Sequence, residues 1–138
     1  MDDARTLVAG EAEGEVLVLE QPLSFWGGLD PATGRVIDHR HPQRGLLVSG
    51  RVLVMPSGRG SSSSSSVLAE AIRARTAPAG VILLELDPIV ALGSIVAREL
   101  YGIACPVVAL ERDAFVSIRD GTTVEIDASD ERARVRLA

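Results

Sequence analysis

Residues 81–110 read VILLELDPIVALGSIVARELYGIACPVVAL, and this stretch decides the fold class. Its opening, Val81 to Leu86, has the length and near-continuous apolarity of a strand buried on both faces of a parallel sheet. Ile89, Leu92, Gly93, Val96, Ala97 and Leu100 then recur at the i, i+3, i+4, i+7 spacing of an amphipathic helix, which Gly102 ends. Ile103 to Leu110 is the next strand. Strand, helix and strand in that order make an α/β unit.

The same order stands upstream. Arg51 to Met55 reads as a strand stopped by Pro56, and SGRGSSSSSS follows before Val67, Leu68, Ala71 and Ile72 set a helical period. Glu15 to Glu20 is a further strand, ended near Pro22. From Ser24 to Gly45 glycine, proline and polar turn formers predict a long functional loop, with a short strand around Arg35–Ile37. The tail alternates polar and apolar residues over Thr122–Asp127 and Arg132–Leu137, as expected of one-sided strands near a sheet edge. No repeat or linker interrupts the chain. The expectation is one three-layer α/β domain over residues 1–138: a sheet, two helices and an extra β layer.

Composition narrows the function. All 14 basic residues are arginines, scattered among 19 acidic ones, and the net charge of −5 disfavours nucleic acid as a partner. A single cysteine, Cys105, provides neither a disulfide framework nor thiolates enough for a metal or cluster, so no metal or cofactor is expected on this chain. The start lacks a basic, apolar leader, and the most apolar window is broken by Glu85 and Asp87. The expectation is a soluble cytoplasmic protein without membrane contact.

Only four residues are aromatic (Phe 2, Trp 1, Tyr 1), and Phe25 and Trp26 are adjacent. Beside Gly27, Gly28 and Asp30 they read as a contact surface. Six consecutive serines, Ser61 to Ser66, would usually be a flexible linker, but here they join a strand to a helix inside one domain. Gly58 and Gly60 permit positive φ and close backbone approach, and serines at a helix N-terminus present N–H groups and hydroxyls to an anion, with Arg59 alongside. The spacing is not a phosphate-binding Walker motif, because no lysine follows the second glycine. Ser61 is the best-placed hydroxyl for acid–base work, its alternative being a simple helix cap. His39 and His41, near Asp38, lack a further ligand close by, which favours structural or interface roles over metal.

These motifs together, SFWGGLDPATGRVIDHRHP from Ser24, GRGSSSSS from Gly58, APAGVILLE from Ala77 and ALGSIVARELYGIACPVV from Ala91, resemble the small, swivel-type subunit of the aconitase X family from about Gly10 to Leu110. The resemblance implies a swivelling β/β/α domain that closes over a large subunit carrying an iron–sulfur cluster, as a heterodimer or higher assembly. It implies a hydro-lyase with Ser61 as the base. Gly58, Arg59 and Gly60 would shape the loop, and Ser62, Ser63 and Ser65, within a set running to Ser65, would hold a substrate carboxylate or phosphate. Which serine of 61–66 is the base stays open at this point. Ser24, Phe25, Trp26, Gly27, Gly28, Asp30 and His41 would lie at the subunit contact or site mouth.

The family's substrates are cis-3-hydroxy-L-proline in bacteria and phosphomevalonate in archaea, and an arginine- and alanine-rich composition favours the former. A non-catalytic partner subunit is the rival of another class. The stretch GSIVARELYGIACPVV is also similar to the phosphohistidine domain of phosphoenolpyruvate-utilising enzymes. Where that domain carries its histidine this chain has Leu92, so a phosphocarrier role fails.

Overall fold

The computed structural model describes residues 4–138. Strand β1 (Arg5–Val8) leads into the long β2 (Gly10–Val18), and a four-residue turn, α1 (Phe25–Gly28), opens the loop that holds the small ladder of β3 (Leu29–Asp30) and β4 (Arg35–Val36). There follow β5 (Val52–Met55), α2 (Ser64–Arg73), β6 (Gly80–Leu83), α3 (Pro88–Tyr101), β7 (Val107–Ala109), α4 (Arg112–Ser117), β8 (Thr123–Ala128) and β9 (Ala133–Leu137).

Seven strands form one sheet in the order β1-β7-β6-β5-β2-β8-β9. Its centre is parallel, β7 to β6 to β5 to β2, and its flanks are antiparallel. β2 produces the extra layer. Its first residues, Gly10 to Glu15, pair with β8, and its last, Val16 to Val18, pair with β5. The sheet therefore turns a corner along one strand, and a bridge between Ala4 and Ala133 brings its two edges together into a nearly closed barrel.

Alternation along the strands feeds two separate cores. Leu17, Leu53, Met55, Val81, Leu83 and Val107 face α2 and α3, while Val16, Val52, Val54, Ile82 and Val108 face Val124, Ile126 and Val135 inside the barrel. Each such side chain, once fully buried, contributes about 1.5–3 kcal/mol. α2 and α3 pack closely because Gly93 has no side chain: a Cβ there would stand 2.8 Å from the Ser65 carbonyl.

The α/β class, the parallel strands, the two main helices and the two C-terminal strands are as the sequence predicts, the last two pairing as a hairpin. α3 has Asp87 as N-cap, Pro88 in its first turn and left-handed Gly102 (φ +67°) as its stop. Several elements differ. β2 starts at Gly10 and not Glu15, because small Ala12 and Gly14 alternate with exposed Glu11, Glu13 and Glu15 and leave no apolar pattern. α2 starts at Ser64 and not near Val67, inside the serine run. β6 ends at Leu83, since the next two amides, Leu84 and Glu85, turn away to the Pro56 carbonyl at 3.1 and 3.0 Å. β7 is confined to Val107–Ala109, with Pro106 before it. β1 and α4 were not anticipated. No helix among the described residues is long and apolar enough to cross a membrane.

Candidate functional site

The glycine–serine segment is held at its start and open in its middle. Gly58 lies in a parallel bridge with Leu23, its amide donates to Asp87 Oδ2 at 2.9 Å, and the Arg59 amide donates to the Leu23 carbonyl at 3.2 Å. Gly60 then has no neighbour within 4 Å of where a Cβ would be. Neither Gly58 nor Gly60 takes a positive φ. The expectation of left-handed backbone is corrected: Gly58 is needed for close approach alone, since a Cβ there would meet Asp87 Oδ2 at 2.7 Å.

Ser61 opens the turn that becomes α2. Its carbonyl accepts the Ser64 amide at 2.9 Å and its Oγ accepts the Ser63 amide at 3.3 Å. The residue at the helix cap is Ser63, without a side-chain cap bond, so Ser61 is not the N-cap of α2. Ser61 is half-buried, and Ser62 and Ser63 are exposed. Ser65 is committed within the turn, its hydroxyl donating to the Ser62 carbonyl at 2.9 Å. Among the described residues of this segment, the side chains left available to a ligand are Arg59, exposed and without an ion pair, and the hydroxyls of Ser61, Ser62, Ser63 and Ser66.

Ser64, expected among Ser62 to Ser65 to face the substrate, is instead the buried member of the run, and that expectation is corrected. Its Oγ accepts the Trp26 amide at 3.0 Å and lies 3.1 Å from Ser24 Oγ, which in turn donates to the Trp26 carbonyl at 3.1 Å. One proton order satisfies all three contacts: Ser64 donates to Ser24, and Ser24 to Trp26. This network sets the SFWGG turn directly beside the serine turn.

Within that turn the expected mouth residues separate. Trp26 is 59% exposed at the crest, followed by Gly27 at φ +77°. Phe25 is 1% exposed and belongs to the core under the helices, so its assignment to a contact surface is corrected. Gly28 is likewise buried, against Leu23, where a Cβ would come within 2.9 Å of Leu23 Cδ1. Asp30 closes its own turn by accepting from the Ala32 amide at 2.9 Å and the Thr33 hydroxyl at 3.1 Å. His41 is buried, with Nδ1 accepting the Gln43 amide at 3.1 Å, which leaves Nε2–H to donate to the Gln21 carbonyl at 3.1 Å. It braces the loop from within, and its placement at the site mouth is corrected.

Asp87 is the residue that sequence reasoning missed. A strand-ending Asp-Pro before a helical period signals its capping role, but its reach to Gly58 depends on tertiary placement.

The donor set does not fit a metal or cluster. Cys105 is buried, its thiol facing the Pro78 carbonyl at 3.4 Å, and burial pushes it up to about 12. No cluster of three or more metal-ligating side chains occurs among the described residues. An acidic concavity of about 480 Å³ on the barrel, lined by Glu11, Glu13, Glu125, Asp127 and Arg136 among others, shares no residue with the serine turn.

Comparisons with known proteins identify the family. Residues 2–135 match the family model described as the aconitase X swivel domain. A cis-3-hydroxy-L-proline dehydratase of Pseudomonas aeruginosa is 53% identical over 106 residues, which is 77% of this chain and 18% of that protein. The chain thus spans under a fifth of that relative's length. The phosphomevalonate dehydratase small subunit of Methanothermobacter thermautotrophicus is 42% identical over 133 residues, 96% of this chain and 97% of the relative. The crystal structure of Thermococcus kodakaraensis aconitase X in its holo-form superposes with a TM-score of 0.83 at 35% identity, covering 98% of this chain and 97% of that one. A serine turn and an SFWGG turn locked together on a swivel-type β/β/α scaffold, with the match running almost end to end, place this chain in the aconitase X swivel-domain family.

Proposed function

We propose that this chain is the small subunit of a cytoplasmic hydro-lyase, that it works as a heterodimer or higher assembly with a large subunit, and that Ser61 is its base. The observation that carries the reading is the Ser61 hydroxyl. It is half-buried, receives the Ser63 amide, and stands ahead of the N-terminal end of α2, two residues from Arg59, which has no ion pair among the described residues. An amide and a helix N-terminus both stabilise negative charge on that oxygen, which is what a hydroxyl needs in order to take a proton from carbon.

The substrate is a small hydroxy acid, and we assign cis-3-hydroxy-L-proline. Ser61 removes the proton from the carbon bearing the carboxylate, the adjacent C3 hydroxyl leaves as water, and the resulting enamine tautomerises to Δ1-pyrroline-2-carboxylate. Arg59 and the hydroxyls of Ser62 and Ser63 are free to hold the carboxylate. Gly58, whose amide is spent on Asp87, and Ser65, bonded within the turn, shape the loop without offering those groups to substrate. Support for this substrate comes from the 53% identity to a protein named for it. An iron–sulfur cluster would supply Lewis acidity to the departing hydroxyl, and because Cys105 does not fit as a ligand, that group is assigned to the large subunit.

A second reading, phosphomevalonate as substrate, has its own support in the match to a named small subunit across 96% of this chain. Arg59 with free hydroxyls suits a phosphate as well as a carboxylate.

The test is to assemble the chain with its large subunit and assay both substrates, with Ser61→Ala alongside. Loss of about 10²- to 10⁴-fold in turnover with assembly intact is expected. Wild-type turnover of the assembled variant would move the base to a neighbouring serine or to the large subunit, and turnover by the chain alone would remove the two-subunit reading.

A further inference from the structure

Asp87 uses its two oxygens for two different tasks. Oδ1 accepts the Ile89 and Val90 amides at 3.0 and 3.2 Å, which caps α3, and Oδ2 accepts the Gly58 amide at 2.9 Å. Capping alone needs only one oxygen, and serine or threonine supplies it as well as aspartate does. The second oxygen ties a loop that lies 29 residues away. The fit around that tie is close, since a Cβ on Gly58 would press on Asp87 Oδ2 at 2.7 Å and on Val90 Cγ2 at 3.1 Å. Gly58 also bridges to Leu23, so three segments converge on one residue: the approach to the SFWGG turn, the approach to the serine turn and the start of α3.

Past the Gly58 and Arg59 bonds, Gly60 stands in open space, with nothing within 4 Å of where a Cβ would be, before the Ser61 turn leads into α2. The place of Ser61 is therefore set from two ends: by α2 on one side and by the Gly58 tie on the other. We propose that Asp87 is a positioning residue for Ser61, its Oδ2 fixing Gly58 against α3 and so setting where the Ser61 hydroxyl stands. The proposal rests on the reading of Ser61 as the base. A displacement of about 1 Å in a reacting group costs on the order of 10²-fold in rate, so a carboxylate that never touches substrate can control turnover.

The division of labour between the oxygens allows the cap and the tie to be separated. Asp87→Ser keeps a capping oxygen and lacks the length to reach Gly58. Its thermal midpoint is expected to stay close to wild type, while the Gly58 and Arg59 amides exchange with solvent about 10-fold faster or more. In the assembled dehydratase kcat is expected to fall about 10- to 100-fold with KM within about twofold, the signature of lost transition-state positioning. Gly58→Ala gives an independent arm, because its clash with Oδ2 disappears in the Asp87→Ser background. The double variant should be less destabilised than Gly58→Ala alone. If Asp87→Ser does not assemble, Asp87→Asn replaces it: a single amide oxygen can cap α3 or accept from Gly58 but not both.

Unchanged exchange at Gly58 overturns the proposal, and so does faster exchange with wild-type kcat. The readings fail separately. Wild-type turnover of Ser61→Ala removes the base and leaves the exchange result standing, whereas wild-type kcat of Asp87→Ser beside an inactive Ser61→Ala removes the positioning role alone.

Discussion

Ser64 Oγ lies 3.1 Å from Ser24 Oγ, a contact between residues 40 apart that joins the serine turn to the SFWGG turn in one hydrogen-bonded unit. Replacing Ser64 with alanine leaves the Trp26 amide without its acceptor and the Ser24 oxygen without its donor in a part-buried place. A loss of about 1–3 kcal/mol in urea unfolding is expected, with faster amide exchange at Trp26. Ser62→Ala and Ser63→Ala, at exposed positions, should each stay within about 0.5 kcal/mol of wild type in the same titration.

The adjacent rings of Phe25 and Trp26 should behave as opposites. Phe25→Ala empties a core position and is expected to cost about 3–5 kcal/mol. Trp26→Ala removes a ring that is 59% exposed, and stability should change by about 0.5 kcal/mol or less. If Trp26 meets the large subunit, its loss weakens assembly in sedimentation or calorimetric titration at unchanged folding stability. A large loss of stability in the Trp26 variant would place the ring in the fold and not at a contact.

Gly93→Ala should loosen the pair of main helices. The new methyl group meets the Ser65 carbonyl at 2.8 Å and Leu68 Cβ at 3.0 Å, both parts of α2. A destabilisation of about 1–3 kcal/mol is expected. Because the pressure falls on the first turn of α2, assembled turnover should drop by more than that of an equally destabilised barrel variant such as Val124→Ala.

Cys105 should be silent to thiol reagents in the native chain at pH 7–8 and reactive once unfolded. Burial raises the thiol from 9.0 to about 12, so between those values the folded state holds a proton that the unfolded state has released. Its contribution to stability is complete below pH 9 and is lost as pH rises toward 12. Cys105→Ala should therefore flatten the alkaline decline of the unfolding free energy between those pH values.

Much of the scaffold is legible from apolar order alone. Val52 to Met55, Val81 to Leu83 and the α3 period are runs in which burial and spacing agree, and Asp87, Pro88 and Gly102 mark the helix ends. The signal fades where one face of a strand carries only Ala12 and Gly14, or where a helix begins in serines that show no period. The site was legible as two motifs but not as one place. Their junction depends on Ser64, whose sequence neighbours are all serines, and on Asp87, whose partner is remote. Nor can sequence tell which of two neighbouring rings turns inward. Phe25 does so because the turn at Gly27 leaves Trp26 on its crest.

The two cores divided by the sheet have different tenants. Leu23, Phe25, Leu29, Val36 and Val48 from the long loop rest with α2 and α3 on one side, and none of them enters the barrel interior. The interior is a chassis whose packing is independent of the deck above it. Substitutions in segments 22–48 and 56–66 should therefore leave the packing of Val124, Ile126 and Val135 undisturbed, so the two loops can vary while the barrel is kept.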